Sequence, residues 1–276
     1  MKKLISLVCL SCILIGCNNV EKKAAIKLQA AQEAFEQGNY NEAKTQLDSI
    51  KILYPKAFET RRAGNALMYD VELAEQQKTV RYLDSLLQQK EAEFNAYKKR
   101  LTFEKDAAYQ EIGDYIHPSQ IIEKNTNRSF LRFMADETGV LKMTSIYCGA
   151  QHIHHNAVKV IAPDGSYVQT PTSKDSYETS NLGKKIEKAD FKKGSDGGVM
   201  EFIYNNRNKA LKVSYIGEKP YTTAMSATDR QALTAVYEAA QQLSAISEIK
   251  KNIEAAQLKI TFIEKKKAQK ANKAEE

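Results

Sequence analysis

Residues 226–263 read SATDRQALTAVYEAAQQLSAISEIKKNIEAAQLKITFI, and their spacing decides the fold. Ile246, Ile253 and Ile260 recur every seven positions, with Ile249, Ala256 and Ile263 between them. Residues three and four apart share one face of an α-helix, and an apolar stripe that repeats on sevens packs against a second helix of the same kind. Ser226 stands ahead of the stripe as a helix cap, with Asp229 at the third helical position, where a carboxylate is favoured. The run predicts a coiled-coil helix over 226–264.

Its partner lies upstream. From Lys56 to Ile112 there is no proline and one glycine, Gly64, and Leu73, Val80, Leu87, Phe94, Leu101 and Ala108 recur on sevens. Leu83 and Tyr97 occupy the intermediate position, which Gln76, Lys90 and Glu104 interrupt. This predicts a second long helix over 56–113, about 85 Å if continuous. Each stripe must be buried and the nearest partner is the other, so the two helices are expected to form an antiparallel coiled-coil stalk. Residues 265–276, rich in Lys, Ala and Glu, carry no apolar stripe and are expected to be a disordered charged tail.

Between the helices the composition changes. Residues 130–134, 140–147, 157–161, 167–170, 199–204 and 210–215 are short runs rich in β-branched and aromatic residues. Pro163-Asp164-Gly165, Asp196-Gly197-Gly198 and Asn205-Asn206-Arg207-Asn208 separate them as turns. Residues 199–204 followed by 210–215 read as a hairpin with one buried face. Residues 117–222 are therefore expected to be a small antiparallel β-sandwich or barrel inserted between the helices, and the fold class is α+β.

Ahead of the long helices, residues 30–55 read AAQEAFEQGNYNEAKTQLDSIKILYP. Ala31 and Ala43 allow two helices to approach closely, Gly38-Asn39 turns the chain, and Pro55 stops the second helix. Ala31, Gly38, Tyr40, Ala43, Leu47 and Pro55 fall at the spacing of a tetratricopeptide unit, and the stretch resembles one such unit of about 34 residues. Behind a lipidated cysteine it is similar to the opening repeats of outer-membrane assembly lipoproteins. A single unit is too short for a peptide-binding solenoid and implies a helical base over 17–55.

The chain begins MKKLISLVCLSCILIGC. Lys2 and Lys3 precede an apolar run from Leu4 to Ile15, about 18 Å as a helix and too short for a hydrocarbon core of about 30 Å. This is a signal peptide over 1–16 rather than an anchor. Leu14-Ile15-Gly16-Cys17 resembles the lipobox of bacterial lipoproteins, which implies a diacylglyceryl thioether on Cys17 and cleavage before it. Cys9 and Cys12 fit that pattern poorly and leave with the peptide. Asn18 and Asn19 follow, without the Asp that retains lipoproteins at the inner membrane, so by analogy the chain is expected at the outer membrane facing the periplasm, with surface display left open.

Lys and Arg number 41 against 34 Asp and Glu, and the net charge of +7 falls to +5 when Lys2 and Lys3 leave. The charges are interleaved along the helices, as on solvated faces, and an exported protein rarely meets nucleic acid, so no nucleic-acid partner is expected. After cleavage Cys148 is the one thiol besides Cys17, so no internal disulfide forms.

The sharpest chemical motif is Cys148-Gly-Ala-Gln-His152-Ile-His154-His155. If the segment is extended, Cys148, His152 and His154 share one face, and sulfur with two imidazoles suits copper or zinc. His117 is a candidate fourth ligand. The alternative is a buried thiol followed by an exposed histidine loop. Ser247-Glu-Ile-Lys250 spells S-x-x-K but lies in the coiled-coil helix without companion motifs. There is no G-x-S-x-G, H-E-x-x-H or phosphate-cradling glycine loop, and no cofactor motif.

The sequence therefore leads to a non-enzymatic envelope lipoprotein, held on the membrane through Cys17, whose β domain meets another envelope protein or a glycan. Its arrangement is loosely similar to periplasmic adaptor subunits. The alternative is a metal-binding envelope protein using Cys148, His152 and His154.

Overall fold

A computed structural model describes the backbone of residues 5–181 and 183–275 and the side chains of 19–181 and 183–272. Cys17, the expected lipidation site, lies outside the described side chains. The protein is α+β, with five α-helices and two antiparallel sheets among the described residues, and it divides into two compact units, residues 1–85 with 251–276 and residues 86–250. No described helix is long and apolar enough to cross a membrane.

The first unit is helical. α1 (Ile5–Glu36) and α2 (Tyr40–Leu53) pack against each other, and Gly38 turns the chain between them at φ 73°, a left-handed value that glycine adopts without strain. Ala31 and Ala43 are fully buried, and Ala34 and Ile50 share their core with Leu47, Leu67 and Val71. α3 (Phe58–Tyr97) contributes residues 58–85 here, and Lys44 of α2 binds Glu75 of α3 at 2.7 Å. The Glu21 carboxylate of α1 accepts bonds from the N–H groups of Glu59 and Thr60 and from the Thr60 hydroxyl, the last at 2.6 Å. A carboxylate at this place satisfies unpaired donors and favours the positive end of the helix dipole.

α5 (Ala227–Glu275) begins where the sequence predicts. The Ser226 hydroxyl accepts from the Asp229 N–H at 3.0 Å and donates to its carboxylate at 2.7 Å. Ile246, Ile249, Ile253, Ala256 and Ile263 are buried. The helix does not stop at 264 but continues to Glu275, since Lys, Ala, Gln and Glu favour helical backbone without needing an apolar stripe. Within the first unit Lys267 pairs with Asp70 of α3 and Lys270 lies over the Tyr69 ring. Within the second unit Phe94 of α3 packs with Ala239, Leu243 and Ile246.

α3 ends at Tyr97 rather than near 113. Three basic residues, Lys98 to Arg100, close it in a short 3₁₀ turn, as the negative helix end favours. β1 (Thr102–Glu104) then pairs with β2 (Asp114–Ile116), and Phe103 sits so close to Gly113 that a Cβ there would lie 2.2 Å from its ring. Leu101, just past the helix, still packs against the cluster of Phe94, Ala239, Leu243 and Ile246, whereas Ala108 lies in an exposed turn and continues the spacing of seven only by coincidence.

The second unit holds both sheets. β3 (Phe130–Asp136), β4 (Leu141–Gly149), β7 (Ser176–Asn181) and β8 (Lys184–Lys192) complete a six-stranded sheet in the order β1-β2-β3-β4-β8-β7. β5 (Ala157–Ile161), β6 (Tyr167–Gln169), β9 (Lys212–Ile216) and β10 (Tyr221–Ala224) make a four-stranded sheet in the order β10-β9-β5-β6. Neither sheet closes into a barrel. Leu131, Phe133 and Met143 from the larger sheet meet Val158, Val160 and Tyr215 from the smaller one, with Leu233 and Val236 of α5 in the same core. Gly139, at the β3–β4 turn, touches the α5 backbone, where a Cβ would lie 2.2 Å from the Ser244 nitrogen.

Residues 199–204 are not a strand. They lie in α4 (Val199–Asn205), so the hairpin expected with 210–215 is absent, and β9 pairs instead with β5 and β10. Two left-handed glycines, Gly197 and Gly198, break the extended path, and the buried Asp196 carboxylate accepts from the Met200 N–H at 2.8 Å. Val199, Met200 and Ile203 bury one helical face in the core. Tertiary packing outweighs the β preference of the side chains.

Candidate functional site

Residues 150–156 lead from β4 in the larger sheet to β5 in the smaller one, and they wrap around the carboxylate of Glu187. Glu187 lies on β8 opposite Tyr147, and it points inward with Ala189 and Phe191 by the two-residue period of the strand. Its side chain is fully buried. Oε1 accepts the N–H groups of Ile153 at 2.7 Å and His154 at 3.1 Å, and Oε2 accepts that of His155 at 2.8 Å. Three successive backbone donors thus converge on one anion. Burial alone would push this carboxyl up, but these bonds and that from the His155 ring outweigh it and hold the pKa at about 2.

The loop is fixed from its other side. Glu218 donates its N–H to the Ile153 carbonyl at 2.8 Å, and Gly217 passes so near that a Cβ would lie 2.1 Å from the same oxygen. His154 takes φ 55°, a left-handed conformation uncommon outside glycine and asparagine. This value ends any alternation of faces along residues 148–154.

Each histidine has a distinct environment. His155 is buried, its Nδ1 lies 3.1 Å from Glu187 Oε2 and its Nε2 2.8 Å from the Ser145 hydroxyl. Burial lowers its pKa, so the ring is neutral, with Nδ1–H donating to Glu187 and Nε2 accepting from Ser145. Ser145, His155 and Glu187 have the connectivity of a hydrolase triad. However, the serine and the carboxylate are both fully buried, and the Ala189 carbonyl lies 3.3 Å from the hydroxyl, which leaves an attacking oxygen no access to substrate. The trio acts as an internal clamp that ties the loop between the two sheets to the larger one.

His152 and His154 lie nearer the surface. Their rings stack with centroids 5.5 Å apart, and both direct Nδ1 at Glu178 of β7, at 3.4 Å for His152 and 2.9 Å for His154. His152 Nδ1 is also 3.1 Å from Glu187 Oε1. The hydrogen bond to Glu178 raises the His154 pKa. Ligand atoms of His152, Glu178 and Glu187 all lie within 4.8 Å of one another.

Cys148 does not join them. It faces the same side of the sheet as its partner Ile186, opposite to Tyr147 and Glu187, and lines a groove of about 170 Å³ with Thr126, Phe130 and Ile146. Its thiol lies 3.8 Å from the Thr126 carbonyl. The strand ends at Gly149, so the shared face expected for Cys148, His152 and His154 is not formed. His117 also lies elsewhere, its Nδ1 2.8 Å from the Ser119 hydroxyl, in a cavity of about 560 Å³ with Arg100, Arg207, Arg230 and Glu238. Ser247 and Lys250 remain on α5.

Sequence reasoning missed Glu187 and Glu178. The signal for Glu187 is its place in an alternating run, Glu187-Lys-Ala189-Asp-Phe191, where a lone acid shares the apolar face. Tyr215 on β9 is fully buried, and Tyr204 on α4 stacks on Tyr237 at 4.2 Å, so neither ring face is free to stack on a sugar. No protein family matches this chain, no characterised protein matches it, and no solved structure matches it.

Proposed function

We propose that this is a non-enzymatic envelope lipoprotein, held on the outer membrane through a lipidated Cys17 and facing the periplasm. Its long helices serve as a coiled-coil stalk for the β domain, which meets another envelope protein or a glycan. The mechanism is positioning: a double or triple acyl anchor confines the chain to one surface and raises its effective concentration for partners there.

The observation that supports this reading best is the bond set of Glu21. It brings the start of α3 beside a residue only four positions after Cys17, within about 14 Å even if the intervening chain is extended. Phe58, the first residue of α3, is 70% exposed, and Ile52 and Leu53 at the end of α2 are exposed as well. Lys22, Lys23 and Lys56 are exposed in the same segments. Three apolar side chains in water are unfavourable, whereas beside an acylated residue they enter the lipid interface with the lysines at the headgroups.

Fractionation tests the reading. The wild-type chain should sediment with membranes and take up a fatty-acid probe, and Cys17→Ser should do neither. Equal membrane retention of the two would refute it.

A further inference from the structure

We propose that His152, Glu178 and Glu187 form a binding site for a divalent cation of the zinc class, with His154 positioning Glu178. The site is distinct from the set Cys148, His152 and His154, which the fold does not assemble.

Charge supplies the first argument. Glu178 and Glu187 are paired directly across β7 and β8, and like charges opposite each other on neighbouring strands repel. Between them stands one imidazole nitrogen, His152 Nδ1, 3.1 Å from Glu187 and 3.4 Å from Glu178. A neutral His152 ring offers a single N–H there, and the His154 ring, bonded to Glu178 alone, can balance at most one of the two carboxylates. Glu218 adds a third negative charge near His154. A divalent cation balances the excess.

Geometry supplies the second. Zinc holds nitrogen and carboxylate oxygen at about 2.0–2.1 Å, so ligand atoms around one ion stand roughly 3.3 Å apart in a tetrahedron. The two distances from His152 Nδ1 already have this length, and Glu178, on an edge strand and partly exposed, can close the remaining gap by side-chain rotation. Ligation at Nδ1 moves the ring proton to Nε2, so the imidazole stays neutral.

Preorganisation supplies the third. Glu187 is already ionised and fixed by three backbone donors, and His154 Nδ1 holds Glu178 at 2.9 Å, the outer-shell bond that orients a ligating carboxylate. Imidazole with two carboxylates suits zinc and its first-row neighbours, and the exposed side leaves room for water as a fourth ligand. None of this depends on the lipid anchor.

The experiment is titration of the purified full chain, in detergent, with zinc chloride by calorimetry, alongside thermal unfolding with and without the ion. We expect one zinc per chain, a raised melting temperature, and an affinity at least about 10-fold weaker in Glu178→Gln and in His152→Asn. Cys148→Ser should bind as the wild type does. Glu178 is partly exposed on an edge strand, and circular dichroism of Glu178→Gln confirms that the variant folds. Absence of binding to the wild type, equal binding by both ligand variants, or loss of binding in Cys148→Ser would each overturn the proposal.

Discussion

Arg128 clasps Asp229 through two parallel N–H···O bonds of 2.6 and 2.7 Å, joining the segment before β3 to the first turn of α5. Asp229 is buried, it also receives the Ser226 hydroxyl, and Gln120, fully buried beside it, bonds the backbone of Leu131 and Phe133. Removing either charge leaves the other without its partner at a buried contact. Because Arg128 is partly exposed, Asp229→Asn should cost about 2 kcal/mol rather than the larger amount typical of a fully buried pair, measured as a lowered urea midpoint. An unchanged midpoint would show that this clasp does not stabilise the start of α5.

Acid should loosen the histidine loop before the rest of the protein. Glu187 has a pKa held at about 2 against an ordinary 4.5, so its stabilisation is complete above pH 4.5 and is lost as pH falls toward 2. His155, whose pKa is lowered from 6.5, adds stability that is complete above pH 6.5 and declines below it as the buried ring is forced to charge. The melting temperature should fall as pH drops from 7 to 3. In Glu187→Gln it should begin lower, by about 2–4 kcal/mol of stability, and depend less on pH at the acid end. Parallel curves for the two proteins would contradict the clamp.

The hydroxyl of Tyr215 is buried without a hydrogen-bond partner among the described residues. An unsatisfied buried donor costs about 1–3 kcal/mol, so Tyr215→Phe should leave stability unchanged or raise it by about 1 kcal/mol in denaturant unfolding. A loss of stability would show that the hydroxyl is bonded in solution.

The chain contains no tryptophan, so Phe58→Trp introduces a single reporter at the exposed corner beside Glu21. In the lipidated protein on anionic vesicles its emission should shift to the blue and be quenched by brominated acyl chains. Tyr109→Trp, at a position 89% exposed in the second unit, should do neither. Unquenched emission from position 58 in vesicle-bound protein would separate this corner from the bilayer.

The sequence made the local features legible. Ser226 and Asp229 act within one helical turn, Gly38 is a turn by its own backbone freedom, and residues 157–161 form a strand whose β-branched side chains fill a shared core. What stayed hidden depends on distant groups. Residues 199–205 are helical because Asp196 and the core say so, against their own β preference. Beyond α3 the chain turns into β1, where Phe103 meets Gly113 of the loop before β2, a distant contact that a periodicity of seven cannot reveal. Glu187 looks like an ordinary surface acid until residues more than thirty positions earlier aim three N–H groups at it.

The mass of the N-terminal peptide released from the native membrane protein shows at once whether Cys17 carries a lipid. The expected peptide begins at Cys17 and carries a diacylglyceryl group on its sulfur. A peptide beginning elsewhere, or Cys17 with a free thiol, would contradict it.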